Sequence, residues 1–341
     1  MNTKVLLLLG PRTNLKNPAK TGGVIVLFEE LLRYCEKNDI IYKVIDTNKA
    51  NYPNIVFAYI MIWYQLLVLS RKSHHISVHG TSNDYLYIAP FALLVSKLFT
   101  KSLSLRKFGG NFIELYENYS FLKQFIIRII LGYADYSFFE TKYLVKYFKK
   151  YNKKTFWFPN VRTKKLKAIL PRHFHKRFVF ISHIRKSKGI DEILEASQGL
   201  DNSYTIDIYG PIIKDYKQND FVNYANISYK GALLSSDVLK TLNTYDVLLL
   251  PSYQEGYPGI IIEAFSLGIP VIATDLEAIS EVIDDHKNGL LVPVANSQQL
   301  RMSIEYINES NYQDMSYFAY KSFDHFDSDT VTKGYINHVI V

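Results

Sequence analysis

Short apolar runs rich in β-branched and aromatic residues alternate with longer helix-patterned stretches along the whole chain, and this alternation constrains the fold most strongly. Because a strand that leads into a helix usually returns to a parallel strand, the pattern predicts wound α/β sheets. The predicted strands cover residues 5–9, 42–46, 76–79, 103–108, 136–140, 155–158, 178–182, 205–209, 227–230, 247–250, 271–274 and 290–292. The predicted helices lie near residues 23–37, 55–70, 85–99, 119–132, 141–150, 190–199, 236–243, 259–267 and 297–308.

The alternation restarts after a basic segment, residues 160–176, which has no sustained periodicity and reads as a linker. We therefore expect an N-terminal domain at residues 1–165 and a C-terminal domain at residues 166–315. A helical segment at residues 316–341 is expected to cross back to the first domain. Two doubly wound domains joined in this way would face each other across a cleft, where the carboxyl ends of parallel strands bind ligands.

The composition and the apolar segments exclude several classes of protein. The single cysteine, Cys35, excludes an internal disulfide and a cysteine-based zinc or iron–sulfur site, and it favours a reducing, cytoplasmic compartment. The apolar start at residues 5–9 predicts a buried strand rather than a signal peptide. The uncharged run at residues 55–70 is shorter than the roughly 20 residues that span a bilayer, so it predicts a buried helix.

The two halves of the chain differ in net charge. Residues 1–170 hold 26 Lys and Arg against 10 Asp and Glu, whereas residues 171–341 hold 14 against 22, and the two balances give the net +8. The stretches 121–131 and 143–154 combine cations with apolar and aromatic residues, a pattern typical of contact with an anionic membrane. The alternative is that the apolar side chains of these helices face the core, while the lysine side chains extend to solvent. A nucleic-acid partner is not expected, because the second half is acidic.

The most informative segment is residues 248–271. An apolar strand ends at Pro251, a polar loop with two glycines follows, and a helix begins after Pro258. The first N–H groups of a helix have no partner within it, so they attract anions such as phosphate. The groups expected to be available are those of Gly259, Ile260 and Ile261.

Two glutamates bracket this anion site, Glu255 in the loop and Glu263 one turn inside the helix. Carboxylates would repel a phosphate unless they bind neutral groups, and sugar hydroxyls are suitable donors to them. A sugar, a diphosphate and a ribose in sequence describe a nucleotide sugar. The donor is expected to be UDP- or GDP-linked and to act as substrate, with no other cofactor and no metal site.

This Glu-x7-Glu pattern resembles that of the retaining GT-B glycosyltransferases, the group 1 family that includes bacterial polysaccharide and lipopolysaccharide transferases. The resemblance implies the GT-B fold of two Rossmann-like domains. It further implies that Glu255 contacts the transferred sugar as a catalytic residue and that Glu263 binds the ribose. Retention of configuration and independence of metal are also implied by the resemblance, although Asp284 and Asp285 are a weaker metal-binding alternative.

Other positions resemble the family's donor-binding loops. Lys188 lies in a segment similar to the phosphate-binding loop. The arginine usual there is His183 in this chain, so Arg185 is expected to supply the guanidinium group. Gly23, after Thr21 and Gly22, resembles the N-terminal glycine loop that approaches the donor phosphate. The turn resembling the family's nucleobase-binding segment contains Lys230, Gly231 and Leu233.

Two strand ends in the first half complete the predicted site. By the same resemblance, His79 is expected beside the donor sugar as a catalytic residue. Arg106 and Lys107 open a glycine turn and would suit an anionic, lipid-linked acceptor, the alternative being a solvated basic turn.

The sequence therefore predicts a hexosyltransferase-like enzyme that transfers a sugar from its nucleotide donor to a glycan or lipid-linked oligosaccharide during cell-surface polysaccharide synthesis. It would act in the cytoplasm or on the inner face of the cytoplasmic membrane. Two alternatives remain open. One is a sugar-nucleotide epimerase of GT-B-like fold, and the other is a non-catalytic membrane- or nucleic-acid-binding protein on a transferase scaffold.

Overall fold

The computed structural model describes residues 4–16 and 22–340. It divides the chain into two compact units, Met1–Thr163 with Asp327–Val341 and Lys164–Phe326. Each unit contains one six-stranded sheet in which all neighbouring strands are parallel. The prediction of two Rossmann-like α/β domains is confirmed.

The sheet of the first unit has the order β2-β1-β3-β4-β5-β6. Its strands are β1 (Leu6–Gly10), β2 (Tyr42–Asp46), β3 (His75–Gly80), β4 (Ser102–Lys107), β5 (Tyr136–Phe139) and β6 (Thr155–Trp157). Its helices are α1 (Gly23–Lys37), α2 (Ile55–Ser70), α3 (Ser82–Tyr87), α4 (Ala89–Leu98), α5 (Phe112–Glu117), α6 (Phe121–Tyr133), α7 (Lys142–Phe148) and α14 (Ser328–Val339). One core cluster packs α2, α4, α6 and α7 against the sheet, and a second packs α1 and α14.

The sheet of the second unit has the order β12-β11-β10-β7-β8-β9. Its strands are β7 (Arg177–Ile181), β8 (Thr205–Tyr209), β9 (Ile227–Gly231), β10 (Val247–Leu250), β11 (Val271–Thr274) and β12 (Gly289–Val292). Its helices are α8 (Ile190–Ser197), α9 (Val238–Leu242), α10 (Gly259–Ser266), α11 (Glu277–Ser280), α12 (Ser297–Tyr306) and α13 (Glu309–Ser322). Its core is aliphatic and aromatic, as expected for strands covered on both faces.

The predicted elements differ from the structure in a few places. The helix expected near 85–99 is two helices, α3 and α4, and the helices α5 and α11 were not predicted. Helix α13 begins at Glu309, before the start of the predicted helical segment 316–341. The segment 316–341 is not one continuous element, because α13 ends in the second unit and α14 lies in the first. The predicted linker is also partly packed: Arg172 is buried and donates hydrogen bonds to backbone carbonyls of the second unit.

Helix α2 has the predicted bounds but is not a buried helix. It buries one stripe at every fourth position, formed by Ala58, Ile62, Leu66 and Ser70. Its exposed apolar residues are Ile55, Val56, Phe57, Ile60, Tyr64 and Val68. The reason is its place in an outer layer, where a helix packs on the sheet with only one face. Within residues 4–16 and 22–340, no helix is long and apolar enough to cross a membrane.

Candidate donor site in the second unit

The order of the second sheet marks a place for a ligand. Strand β8 lies on one side of β7, and β10 lies on the other side, so the chain reverses its direction of winding between β7 and β10. The loops after these two strands leave the sheet in opposite directions and open a crevice at its carboxyl edge. Residues 182–189 form the first loop and residues 251–258 form the second.

Three contacts hold the second loop against the first loop and helix α8. Gly189 has a φ of +75°, and a Cβ atom there would lie 2.0 Å from the carbonyl oxygen of Pro251. Only glycine fits this position without displacing the backbone. The N–H group of Tyr253 donates to the carbonyl of Ser187 at 3.0 Å. The Tyr253 hydroxyl donates to the Glu192 carboxylate at 2.5 Å, and this hydrogen bond, with burial, raises the pKa of Tyr253 to about 12.

Lys188 and Glu255 form an ion pair across the two loops. Lys188 Nζ lies 2.5 Å from Glu255 Oε1, and the two side chains are only 11% and 13% exposed. An ammonium group has three N–H donors, so Lys188 retains donors for a second anion while it binds Glu255. The predicted phosphate-binding cation and the predicted sugar-binding carboxylate are therefore direct neighbours.

Arg185 begins the short 3₁₀ turn that contains Lys188, and its carbonyl accepts the Lys188 N–H at 2.9 Å. Its Nε is buried and has no hydrogen-bond partner among the described residues. A buried donor without a partner is costly, and an anion bound at this loop would satisfy it. Arg185 stays a predicted diphosphate ligand. His183, at the position of the family's usual arginine, is exposed.

The N-terminus of α10 follows the second loop. Its cap residue is Pro258, and no side chain in the described part of the chain caps it. The prediction of three available N–H groups is wrong at Ile261, whose N–H donates to the Pro258 carbonyl at 3.2 Å. Gly259 and Ile260, as the first two helical residues, lack an acceptor within the helix. Two amides, rather than three, remain for an anion.

Glu263 lies one turn inside α10 and is half-buried, and its backbone carbonyl accepts the Ser266 hydroxyl at 2.7 Å. Glu255 and Glu263 thus belong to one strand–loop–helix segment, as the motif requires. Ribose binding by Glu263 stays a prediction.

The predicted nucleobase turn ends the edge strand β9. A register shift in the β8–β9 pairing leaves Lys230 without a partner in the ladder, and its Nζ lies 3.5 Å from Asp207 Oδ1. Gly231 has a φ of +84°, a conformation that favours glycine, and Leu233 is half-buried. The side chain of Lys230 is thus paired with Asp207 of β8, and nucleobase binding by Lys230, Gly231 and Leu233 stays a prediction.

His79 does not lie at a surface, which corrects its predicted catalytic role. It is fully buried, and its Nε2 lies 2.9 Å from the Ser77 hydroxyl and 3.2 Å from that of Tyr335. Its Nδ1 has no partner within the part of the chain that the structure describes. Burial lowers the pKa of His79 well below 6.5, so the ring is neutral. The cause is α14, which covers this face of the sheet with Tyr335.

Arg106 and Lys107 are also fully buried, which corrects their predicted contact with an acceptor. The Arg106 guanidinium lies 3.5 Å from the Phe158 ring centre and donates to the Pro159 carbonyl, and burial lowers its pKa to about 10. Lys107 donates to the Phe108 carbonyl, and burial lowers its pKa to about 8. Both cations therefore lie inside the first unit, at the carboxyl end of β4, rather than on an exposed surface.

Gly23 is the first residue of α1 and is exposed, with open space around it. Thr21 lies outside the described residues, so the predicted glycine loop is only partly described. Across residues 4–16 and 22–340, no cluster of three or more His, Cys, Asp or Glu side chains is arranged to hold a metal ion.

Sequence reasoning assigned no role to Tyr253 or Glu192, although their hydrogen bond joins the second loop to helix α8. A tyrosine beside the motif carries no spacing signal of its own. Its role depends on a helix that starts more than sixty residues earlier in the chain.

Residues 175–309 match the model of the family described as "Glycosyl transferases group 1". An alignment of 126 residues with the N,N'-diacetylbacillosaminyl-diphospho-undecaprenol alpha-1,3-N-acetylgalactosaminyltransferase of Campylobacter jejuni has 29% identity and covers 36% of this chain and 32% of that protein. An alignment of 146 residues with the amylovoran biosynthesis glycosyltransferase AmsK of Erwinia amylovora has 27% identity and covers 38% and 35%. The chain thus matches about a third of the length of these curated relatives.

The whole chain is similar to a solved structure, that of Anabaena Alr3699/HepE in complex with UDP. The TM-score is 0.73 at 14% identity, and the match covers 98% of both chains. This similarity shows that the fold is of the GT-B type, as the motif resemblance implied.

Proposed function

We propose that the protein is a glycosyltransferase that moves a sugar from a UDP- or GDP-linked donor to a hydroxyl of a glycan or lipid-linked acceptor. The observation that carries the proposal is the Lys188–Glu255 pair at the winding reversal of the second sheet, beside the N-terminus of α10. The family match of residues 175–309 covers this segment. The similarity to a UDP-bound structure and to polysaccharide-synthesis relatives supports the choice of donor and pathway.

In the proposed reaction, the bond between the sugar C1 and the diphosphate oxygen breaks, and its electron pair stays on the diphosphate. Lys188, Arg185 and the amides of Gly259 and Ile260 would stabilise this developing negative charge. The acceptor oxygen bonds to C1, and its proton passes to the departing phosphate. Glu255 would orient the sugar by accepting hydrogen bonds from its hydroxyls.

We also propose that the transfer retains the configuration at C1 and needs no metal ion, and the support for both is the motif resemblance. The acceptor class rests on the relatives, one of which is by its name a transferase that acts on a diphospho-undecaprenol-linked sugar. Such an acceptor is consistent with a role in the synthesis of cell-surface polysaccharide, which the name of another relative indicates for that protein. Analysis of the product with a donor panel and a lipid extract would identify the sugar, the acceptor and the anomeric outcome together.

Calorimetry with a panel of nucleotide sugars tests the donor site. We expect saturable binding of one nucleotide sugar, and Glu263→Ala should weaken it by about 1.5–3 kcal/mol, because a carboxylate hydrogen bond to a ribose hydroxyl is lost. Glu305→Ala, an exposed glutamate on α12, is the matched control and should bind as the wild type does. Equal binding by wild type and Glu263→Ala would contradict the ribose assignment.

Turnover separates the proposed transferase from the alternatives. A transferase forms a new glycoside only when an acceptor is present, whereas an epimerase would convert the donor alone. A chain that binds a donor but forms no product with any acceptor extract would contradict the proposal.

A further inference from the structure

The outer surface of the helix layer α2–α4–α6 in the first unit is unusually apolar for a face exposed to solvent. Each helix buries one side against the sheet and turns large apolar side chains outward. Residues more than half exposed on this surface include Ile60 (54%), Tyr64 (60%), Leu94 (62%), Leu98 (65%), Phe121 (77%) and Leu122 (66%). An extended apolar surface of this kind usually marks a site of contact with a protein or a membrane.

The three helices form one continuous surface. The rings of Trp63 on α2 and Phe91 on α4 lie 5.5 Å apart, and the Trp63 indole N–H donates to the carbonyl of Tyr87 at 3.2 Å. Lys97 on α4 donates to the carbonyl of Tyr133 at the end of α6. These contacts join α2 to α4 and α4 to α6, so their outward apolar residues belong to a single face.

The charges on this layer have one sign. Helices α2, α4, α6 and α7 contain no Asp or Glu, and their charged residues are Lys97, Lys123, Arg128, Lys142 and Lys146. Lys97 and Lys123 are exposed beside the apolar residues. Apolar side chains flanked by the exposed Lys97 and Lys123 complement a surface that is apolar inside and negatively charged outside.

We infer that this face, named here the outer apolar face (the exposed apolar residues of α2, α4 and α6 with Lys97 and Lys123), lies on a bilayer that contains anionic lipid. This inference deepens the proposed function by naming the surface on which a lipid-linked acceptor would be met, but vesicle binding itself does not depend on that function. Helix α2 would lie in the plane of the interface with its apolar residues among the lipids.

A second copy of the chain is a less suitable occupant. A two-fold interface buries the same patch on both subunits, so both copies would contribute cations to it while α2, α4 and α6 contribute no Asp or Glu. Lysine is also depleted in such interfaces. An anionic lipid surface instead neutralises each cation and receives the apolar residues at the same time.

Sedimentation with vesicles tests the inference. The wild type should bind vesicles of equal parts phosphatidylcholine and phosphatidylglycerol, and more weakly those of phosphatidylcholine alone. Ile60→Ser/Tyr64→Ser/Leu98→Ser should lower the partition coefficient at least about tenfold, because three apolar side chains no longer leave water. Lys97→Gln/Lys123→Gln should lower it about fivefold per cation on the anionic vesicles only, since each cation near such a surface contributes on the order of 1 kcal/mol.

The matched control is Ile213→Ser/Val222→Ser/Met302→Ser, which removes three exposed apolar residues from the second unit, at exposures of 56%, 72% and 51%. The control should bind vesicles as the wild type does. Every substituted side chain is exposed, so we expect each variant to fold, and thermal unfolding checks this.

Either of two kinds of result would overturn the inference. One is a vesicle assay in which the wild type stays in the supernatant with anionic vesicles, or in which the Ile60→Ser/Tyr64→Ser/Leu98→Ser variant binds as the control does. The other is a variant that changes from dimer to monomer in sedimentation velocity while vesicle binding is unchanged, which would assign the face to a second copy. Nucleotide binding is read separately, so vesicle binding without donor binding would retain this inference and contradict the proposed function.

Discussion

The ion pair between Lys188 and Glu255 predicts different effects for the two substitutions that break it. A bound diphosphate would accept hydrogen bonds from Lys188, whereas Glu255 competes with the diphosphate for the same ammonium group. Lys188→Met should therefore weaken binding of free UDP. Glu255→Gln should leave UDP affinity unchanged or raise it, while it lowers the rate of sugar transfer.

The magnitude follows from the burial of the pair. Both side chains are largely removed from water, so a hydrogen bond from Lys188 to a phosphate oxygen is made in a poorly solvated site. A hydrogen bond to a charged group contributes about 1.5–3 kcal/mol. The dissociation constant of UDP should then rise about 10- to 150-fold in Lys188→Met, at about 1.4 kcal/mol for each factor of ten.

Isothermal titration with UDP and GDP measures these constants for the wild type and both variants. Lys186→Met is the matched control, because Lys186 lies on the same loop but is 65% exposed and 4.0 Å from Asp191. Breaking a buried pair also destabilises the fold by up to about 3–5 kcal/mol, so unfolding curves must show each variant folded at the titration temperature. The reasoning is refuted if Glu255→Gln weakens UDP as much as Lys188→Met, or if Lys186→Met does.

Three further predictions concern stability. Gly189→Ala should lower the unfolding free energy by about 2 kcal/mol or more, because the φ of Gly189 is positive and a Cβ there would meet a backbone carbonyl. The control is Gly334→Ala on α14, where a Cβ would enter open space. In the same thermal unfolding assay it should be neutral or stabilising. The free energy of unfolding should fall as the pH drops from 6.5 toward 4, by up to about 1.4 kcal/mol per pH unit for each of His79 and His75. Burial lowers the pKa of both histidines in the folded protein, that of His75 to about 4. In this pH range, therefore, only the unfolded chain takes up the protons. Urea unfolding at several pH values should show a shallower slope in His79→Gln, and an unchanged slope would contradict the assignment. Arg106→Ala should lower the unfolding free energy by about 2 kcal/mol, because a buried cation–aromatic contact is lost. A folded variant with a raised KM for the acceptor would instead support the predicted acceptor role of Arg106.

The positions of strands and helices were predictable because local signals determine them. The strand bounds at β2, β8, β10 and β11 and the helix bounds of α1 and α2 agree with the sequence pattern. Hydrophobic periodicity and glycine and proline punctuation act within a window of a few residues. The same holds for the strand–loop–helix segment that carries Glu255 and Glu263.

Side-chain exposure at strand ends was not predictable in the same way. His79, Arg106 and Lys107 come where a wound sheet exposes its functional loops, and a polar residue there reads as a ligand. Their burial depends on distant parts of the chain: Tyr335 of α14 contacts His79 across 256 positions, and Phe158 covers Arg106. No window of the sequence contains both partners.

By itself, the sequence determined two wound α/β units and the acidic motif at the start of α10, because both are encoded by neighbouring residues. Only the tertiary structure brought Lys188 to Glu255, across 67 positions, and turned the apolar side chains of α2 toward solvent. The physical reason is that pairing and exposure depend on which elements pack together, and packing is settled by contacts between residues far apart in the chain.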